Sequence, residues 1–191
     1  VKALRKNTLT LPAMNVKAVA DKKNIIKSKE NAFELQMDVT PGKLATTGVE
    51  LYNAKGEKVK IYFDTKERKL VMDRTESGLV EFGKRSVPHD IEKNYSDVHQ
   101  GVGNTPFRVF NSINYKNDFA LGTWAPLSLC KGTTYHVDIF VDKCSVEIFV
   151  DGGRIAMTNL VFPTAPYTSV KFYNNGASTS FRNITLSELS L

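Results

Sequence analysis

Residues 137–163, the most informative stretch of the chain, read VDIFVDKCSVEIFVDGGRIAMTNLVFP. Aliphatic residues alternate with polar or aromatic residues, which is the period-two pattern of β-strands. A two-residue turn at Lys143 and Cys144 and a glycine-containing turn at residues 151–154 divide the stretch into three runs. Glycine tolerates the positive φ angles of tight hairpins. The stretch therefore predicts an antiparallel meander of three strands.

The two turns set the register of the meander independently. They predict the opposite pairs Val141–Val146, Ile139–Ile148, Val150–Ile155 and Ile148–Met157. In both hairpins the large aliphatic side chains then lie on the same face, and a slip of one residue would destroy that agreement. We therefore expect one face of the meander to be dry.

The other face of the meander carries two phenylalanines among polar residues. Its members are His136, Asp138, Phe140, Glu147, Phe149, Asp151 and Thr158. The register places Phe140 opposite Glu147 and Phe149 opposite Asp138. Folding does not require exposed aromatic residues on a solvent face, so they often mark a contact surface. Either a neighbouring loop covers them in part, or the face is a docking surface for another domain or a sugar.

Short alternating runs separated by turn residues recur along the rest of the chain. They lie at residues 33–39, 49–53, 59–63, 69–73, 170–173 and 181–189. Helical periodicity does not persist over ten residues anywhere. Such spacing predicts an all-β fold, a two-sheet antiparallel β-sandwich. Residues 83–121 are the least regular region, and residues 107–110 are a candidate strand within it.

Length and composition indicate one globular domain. The 191 residues fit a single β-sandwich domain over 1–191, with about residues 1–15 as a possible linker. The longest apolar runs fall well short of the ~18 residues that cross a membrane, so we expect no membrane partner. The first ten residues lack the apolar core of a signal peptide, and we expect the chain to be an excised or mature fragment.

The basic net charge does not predict nucleic-acid binding. The formal charge is +6, but between residues 55 and 69 lysines alternate with acidic residues. The densest basic segment, residues 17–29, has no aromatic residues for stacking. A nucleic-acid site needs basic residues clustered on one face together with aromatic or base-reading side chains. We therefore expect no nucleic-acid partner.

The chain also lacks the usual marks of catalysis and metal binding. The motifs GxSxG and HExxH are absent, and His89, His99 and His136 lack metal-ligand spacing. Cys130 and Cys144 lack that spacing too; either both are buried or half-buried free thiols, or they form a bridge in an exported protein. We expect no metal and no cofactor.

Two carboxylates, those of Asp138 and Glu147, lie on the second meander face. The register places them diagonally across adjacent strands, within reach of the ~5–5.5 Å separation used by retaining glycosidases. Diagonal acidic pairs are also common on open sheet faces. The pattern therefore assigns them no catalytic role.

Three ordered segments resemble one enzyme family. Residues 142–153, DKCSVEIFVDGG, followed by Met157-Thr158 and Phe162-Pro163, resemble the carboxy-terminal β-sandwich module of glycoside hydrolase family 32. This family comprises invertases, levanases, inulinases and other fructan hydrolases. Residues 73–78, DRTESG, are similar to its D-R-x-x-S-G segment, and residues 125–127, APL, resemble its A-P-L element. The resemblance covers about residues 59–190.

The resemblance implies a concanavalin- or galectin-like jelly roll behind a five-bladed catalytic propeller. In the family the catalytic acids lie in N-D-P-N-G-like, R-D-P and E-C segments of that propeller, and none of these occurs here. The resemblance therefore assigns no catalytic residue to this chain, which we expect to be inactive alone. It implies a parent glycosidase that acts on β-fructosides and is secreted, periplasmic or on the cell surface.

The sequence leaves two main functions open. The first is a non-catalytic accessory module that stabilises the amino-terminal catalytic propeller and docks on it. The alternative is a carbohydrate-binding module that contacts fructan directly, and a free-standing lectin-like protein is a third, less favoured interpretation. The candidate docking or sugar-contact residues are Arg74, Trp124, Phe140, Glu147 and Phe149. The possible aromatic platforms for a sugar are Trp124, Tyr115, Tyr167 and Tyr173.

Overall fold

A computed structural model describes residues 2–17, 24–80, 119–128 and 132–190. Within them a 3-10 turn (Lys2–Leu4) precedes thirteen β-strands. The strands are β1 (Arg5–Leu11), β2 (Met14–Val16), β3 (Ile25–Lys27), β4 (Phe33–Thr40), β5 (Thr46–Tyr52), β6 (Lys58–Asp64), β7 (Lys69–Glu76), β8 (Gly122–Pro126), β9 (Tyr135–Val141), β10 (Ser145–Val150), β11 (Ile155–Leu160), β12 (Ser169–Asn174) and β13 (Thr179–Leu189).

The strands form two sheets. Sheet I has the order β1-β13-β4-β9-β10-β11, with β2 also paired to β13, and sheet II has the order β3-β12-β5-β6-β7-β8. Every pairing is antiparallel. The described residues contain no α-helix, and none of their helical segments is long and apolar enough to span a membrane. The predicted all-β, two-sheet antiparallel sandwich is confirmed.

The meander has the predicted register. In β9–β10, Val141 faces Val146 and Ile139 faces Ile148, and β10–β11 shows the other two predicted pairs. The amide of Asp142 donates to the carbonyl of Ser145 at 3.0 Å and closes the first turn. In the second turn, φ is positive at Asp151, Gly152 and Gly153. Local turn chemistry therefore sets the pairing of these strands.

The core lies between the two sheets and is filled by the alternating apolar positions of their strands. The predicted dry face of the meander is buried through β9 and β10, while Ile155 and Met157 on β11 are partly buried against the core. Phe63 of sheet II meets Tyr135 of sheet I with ring centroids 5.2 Å apart. Phe172 of sheet II and Phe181 of sheet I meet edge to face, also with centroids 5.2 Å apart. Aromatic pairs at such separations stabilise the contact beyond the area they bury.

Each predicted alternating run coincides with a strand to within a few residues. In β13 the register against β4 shifts between Arg182 and Thr185, so Arg182 and Asn183 both lie outside while Phe181 and Ile184 are buried. Asn183 adopts a φ of 50° in this bulge, which asparagine tolerates better than most residues.

The structure differs from the sequence expectations in two places. Residues 5–11 and 14–16, which overlap the possible linker at about residues 1–15, form β1 and β2 and pair with β13 in sheet I. Cys144 is a free thiol, but it is exposed rather than buried or half-buried, because it lies in the two-residue turn. The candidate strand at residues 107–110 and Cys130 lie outside the described residues.

Candidate functional site

The outer face of sheet I contains the two phenylalanines that the sequence singled out. Phe140 on β9 and Phe149 on β10 are half-buried, and their rings meet edge to face with centroids 5.8 Å apart. Phe140 lies opposite Glu147 on one side and Glu34 on the other, while Phe149 lies opposite Asp138. The structure thus brings Phe140, Glu147 and Phe149 together as one surface, which we call the phenylalanine face.

Hydrogen-bonded polar side chains flank the phenylalanine face on β4 and β9. Gln36 Nε2 donates to Asp138 Oδ1 at 2.6 Å. The His136 ring lies between two carboxylates, with Nδ1 2.8 Å from Asp38 Oδ1 and Nε2 3.5 Å from Asp138 Oδ1. Asn183 Nδ2 donates to Asp38 Oδ2 at 2.6 Å. Asp138 is therefore a member of a structural polar network.

These contacts shift two pKa values in opposite directions. The hydrogen bond with Asp38 raises the pKa of His136 against the lowering effect of burial, and the charges of Asp138, Asp38 and Asp151 add to the increase. Burial alone would raise the pKa of Asp38, but hydrogen bonds from His136 and Asn183 outweigh it, so this pKa is lowered. Both shifts favour the charged pair.

A bidentate ion pair continues the network toward the edge of sheet I. Arg5 Nε and Nη2 donate to the two carboxylate oxygens of Glu34 at 2.5 and 2.7 Å, and Glu34 is almost fully buried. Charge-assisted bidentate pairs are strong and fix geometry. The hydrogen bond from Arg5 to Glu34 raises the pKa of Arg5 against the effect of burial. Arg5 thereby links β1 to the strand beside the phenylalanine face.

Sequence reasoning did not identify this network. Alternation in residues 33–39 places Glu34, Gln36 and Asp38 on one face of a strand, which was a usable signal. The missing information was that β4 lies beside β9, a contact between residues about a hundred positions apart. Turn chemistry carries no information about such a pairing.

Arg74, another candidate, lies away from the phenylalanine face. Its Nη1 donates to the carbonyl oxygen of Leu160 at 3.0 Å, and its guanidinium carbon lies 4.0 Å from the ring centroid of Phe119. Burial lowers the pKa of Arg74. Asp73 accepts hydrogen bonds from the amide and hydroxyl of Thr75. Among the described residues, the contacts of Arg74 thus join β7 of sheet II to β11 of sheet I.

Trp124, the last candidate, lies on the outer face of sheet II. It is 56% exposed, and Lys69 Nζ lies 4.4 Å from its ring centroid. Tyr173 lies on the same face of this sheet, whereas Tyr167 is buried in the core and its hydroxyl donates to the carbonyl of Ser77. Tyr115 lies outside the described residues. The structure thus places two of the four possible aromatic platforms on one sheet face, four strands apart.

The described residues offer no arrangement suited to metal binding. No group of three or more His, Cys, Asp and Glu side chains within them could hold a metal ion. What the two outer faces present instead is aromatic surface bordered by hydrogen-bonding side chains. Such surfaces bind by shape, stacking and hydrogen bonding.

Fold and surfaces together define an all-β sandwich module of the concanavalin or galectin type. The chain matches, over residues 1–188, the family described as "Glycosyl hydrolases family 32 C terminal". This match covers nearly the whole chain. The chain belongs to that family of carboxy-terminal modules of family 32 glycosyl hydrolases.

Named relatives agree with this assignment. A levanbiose-producing levanase from Bacillus subtilis (strain 168) is 30% identical over 95 residues, which are 50% of this chain and 17% of the levanase. A levanase from the same organism is 23% identical over 161 residues, which are 83% of this chain and 19% of the levanase.

A solved structure shares the fold. The crystal structure of an exo-inulinase from Aspergillus awamori aligns with a TM-score of 0.64 at 16% identity, covering 99% of this chain and 31% of that chain. The chain therefore spans less than a fifth of the length of the two levanases and about a third of the inulinase.

Proposed function

We propose that this chain is a non-catalytic carboxy-terminal accessory module of a fructan-degrading glycosidase, which docks on the catalytic domain and stabilises it. The observation that carries the proposal is the match of residues 1–188 to a carboxy-terminal module, combined with the small share of each levanase that this chain spans, 17% and 19%. Most of each levanase lies outside the matched part, which leaves room there for a catalytic domain.

The phenylalanine face is the docking surface we favour. An aromatic centre bordered by hydrogen-bonded polar side chains is the usual anatomy of a contact between folded domains. The network around Asp38, His136 and Asp138 fixes the polar border, and such preorganised side chains lose little entropy on docking. Because the family's module is carboxy-terminal, the catalytic domain would precede β1, the edge strand of sheet I.

The ion pair between Arg5 and Glu34 supports the same geometry. It connects β1 to β4, which lies directly beside β9 and Phe140. The segment that enters the module is thereby held rigidly against the strands of the proposed docking face. A preceding domain attached there would need only a short connection to reach Phe140 and Phe149.

The names of the relatives support a proposal for the substrate class. The matched proteins are named as levanases and as an exo-inulinase, so the parent would act on β-fructosides. Levan and inulin are polymers too large to cross a membrane intact. The parent would therefore act outside the cytoplasm, secreted or held at the cell surface.

The proposal is tested by expressing the parent's catalytic propeller with and without residues 1–191. We expect the propeller alone to lose activity on levan at a lower temperature than the two-domain protein. The isolated module should show no hydrolysis of sucrose or levan. A propeller that keeps full activity and the same inactivation temperature without the module would contradict the accessory role.

A further inference from the structure

The outer face of sheet II carries a row of aromatic and apolar residues that crosses five strands. Successive registers pair Tyr173 with Gly48, Gly48 with Tyr62, Tyr62 with Val71, and Val71 with Trp124. The row therefore runs straight across β12, β5, β6, β7 and β8. Four strand spacings of about 4.8 Å give it a length of about 19 Å. We call these residues the aromatic row.

The glycine in this row is a structural requirement. A Cβ at Gly48 would lie 2.0 Å from the carbonyl oxygen of Ile61 and 2.7 Å from the Cα of Tyr62. Position 48 therefore has no side chain between the strands that carry Tyr62 and Tyr173. Tyr173 on β12 and Tyr62 on β6 both pair with Gly48, so the two tyrosines flank the glycine from either side. Burial raises the pKa of Tyr173, and the charges of Tyr62, Glu50 and Asp73 add to the increase.

The opposite end of the row is open to solvent. Trp124 is 56% exposed, and Lys69 Nζ lies 4.4 Å from its ring centroid. An exposed cation–π contact of this kind is weak. The flexible lysine can therefore leave the indole at little cost, or donate hydrogen bonds to a ligand on the ring.

The border of the row is charged but balanced. On β5, β6, β7 and β12 it holds four acids and four lysines, namely Glu50, Asp64, Asp73, Glu76, Lys58, Lys60, Lys69 and Lys171. Several of them already pair, as Lys58 does with Glu76 at 2.9 Å and Lys171 with Glu50 at 3.4 Å. Such a border offers many donors and acceptors without attracting either sign of charge. It suits a neutral ligand rich in hydroxyl groups.

We propose that the aromatic row of sheet II is a binding platform for a linear neutral oligosaccharide, specifically a β-fructan chain. Sugar rings present C–H faces that pack on aromatic rings, and their hydroxyl groups reach the charged border. The length of the row suits several linked sugar units better than one. The platform itself depends on sheet II alone, whereas the choice of fructan rests on the proposed function.

The single tryptophan of the chain makes the test direct. Because Trp124 is the one tryptophan, intrinsic tryptophan fluorescence of the 191-residue protein reports only from the row. We would titrate it with levan-type and inulin-type oligosaccharides, and with cello-oligosaccharides as a non-fructan control. We expect a saturable blue shift with a fructan, since the ligand replaces water at the exposed indole.

Variants locate the binding on the row. Tyr62→Ala should weaken fructan binding about tenfold, which corresponds to about 1.4 kcal/mol. Tyr52→Ala is the matched control, because Tyr52 lies on the same strand as Gly48 but four residues away, about 13 Å along the sheet. Its affinity should equal that of the unmodified chain. If Tyr62→Ala fails to fold, Val71→Lys instead places a charged side chain in the row between Tyr62 and Trp124.

The outcomes separate this proposal from the docking proposal. A saturable shift with fructans that Tyr62→Ala weakens and Tyr52→Ala does not would support the platform and its ligand. A shift with cello-oligosaccharides alone would overturn the fructan assignment. No shift with any oligosaccharide at millimolar concentration, or equal loss in both variants, would overturn the platform. None of these results bears on docking through Phe140 and Phe149, which lie on the other sheet.

Discussion

Arg74 on sheet II donates from Nη1 to the carbonyl oxygen of Leu160 on sheet I at 3.0 Å. Its guanidinium also lies over the ring of Phe119 at 4.0 Å. One side chain thus connects β7 and β11 at the side of the sandwich. This contact gives a structural reason for the arginine in the D-R-x-x-S-G segment, independent of any partner domain.

Replacement of Arg74 should therefore lower stability. We expect Arg74→Ala to reduce the free energy of unfolding by about 1–3 kcal/mol, because the Leu160 carbonyl loses a charged donor. Arg74→Lys should not restore it, since lysine lacks the planar group that stacks and donates at once. Urea denaturation measures the free energy of unfolding of both variants. Arg154→Ala, at an exposed turn arginine, is the control, and equal effects at positions 74 and 154 would contradict the assignment.

The pair of His136 and Asp38 predicts a pH-dependent contribution to stability. The raised pKa of His136 means that its contribution is complete below the unfolded value of about 6.5 and is lost as pH rises through the folded pKa. The lowered pKa of Asp38 means that its contribution is present above about 3.9 and is lost as pH falls through the folded pKa. The pair therefore contributes most between these two limits.

His136→Gln tests this contribution. The histidine side chain is 49% exposed, so solvent screening limits the effect to under about 1 kcal/mol. In urea denaturation, the difference in free energy of unfolding between His136→Gln and the unmodified chain should be largest near the middle of this pH range. Well above the range the difference should be smaller. Asp38→Asn should lose the same contribution. A difference that stays constant from acidic to basic pH would refute the role of the pair.

Two glycines should respond differently to alanine. A Cβ at position 48 would lie 2.0 Å from the backbone of the neighbouring strand, whereas a Cβ at position 152 would have no atom of the described residues within 4 Å. Gly152→Ala should lower the free energy of unfolding by about 1 kcal/mol, because alanine is strained at the positive φ of this position. Gly48→Ala should lower the free energy of unfolding clearly more, because β5 and β6 must separate to make room for the methyl group. Thermal unfolding of both variants measures the difference between them. Equal melting temperatures would contradict the close approach of β5 and β6.

Neighbouring residues on β10 should also differ. Ile148 is fully buried between the sheets, while Phe149 is half-buried on the outer face. Ile148→Ala should lower the stability of the isolated chain by about 2–5 kcal/mol. Phe149→Ala should cost less, although it removes a larger side chain. A larger loss for Phe149→Ala in urea denaturation would show that the outer face is part of the core.

The sequence predicted local structure well and distant pairing poorly. The meander register followed from Lys143, Cys144 and the turn at residues 151–154, since a hairpin register depends only on its own turn. The aromatic row could not be predicted, because Tyr173, Tyr62 and Trp124 align only once the strand order of sheet II is known. The short strands β2 and β3 carry too few residues for a period-two pattern to stand out.

The phenylalanine face could be predicted only in part, because the sequence indicates the register of a hairpin but not the order of distant strands. Phe140, Glu147 and Phe149 share one hairpin, so their grouping followed from its register. The residues that border them, Glu34 and Gln36, come from a strand about a hundred positions away. The alternation that contains Glu34 and Gln36 is visible in the sequence, but the strand that lies beside them is not. Trp124 and Arg74 were identified by residue type and motif, and only the structure separates them from the phenylalanine face.

One comparison tests whether the module docks on the catalytic domain through the phenylalanine face. The double variant Phe140→Ser/Phe149→Ser would be made in the isolated chain and in the full parent enzyme, with Tyr52→Ala on the opposite sheet as control. We expect the double variant to lower the inactivation temperature of the parent's catalytic domain while the isolated chain keeps most of its stability. An unchanged inactivation temperature in the parent would show that the phenylalanine face does not dock on the catalytic domain.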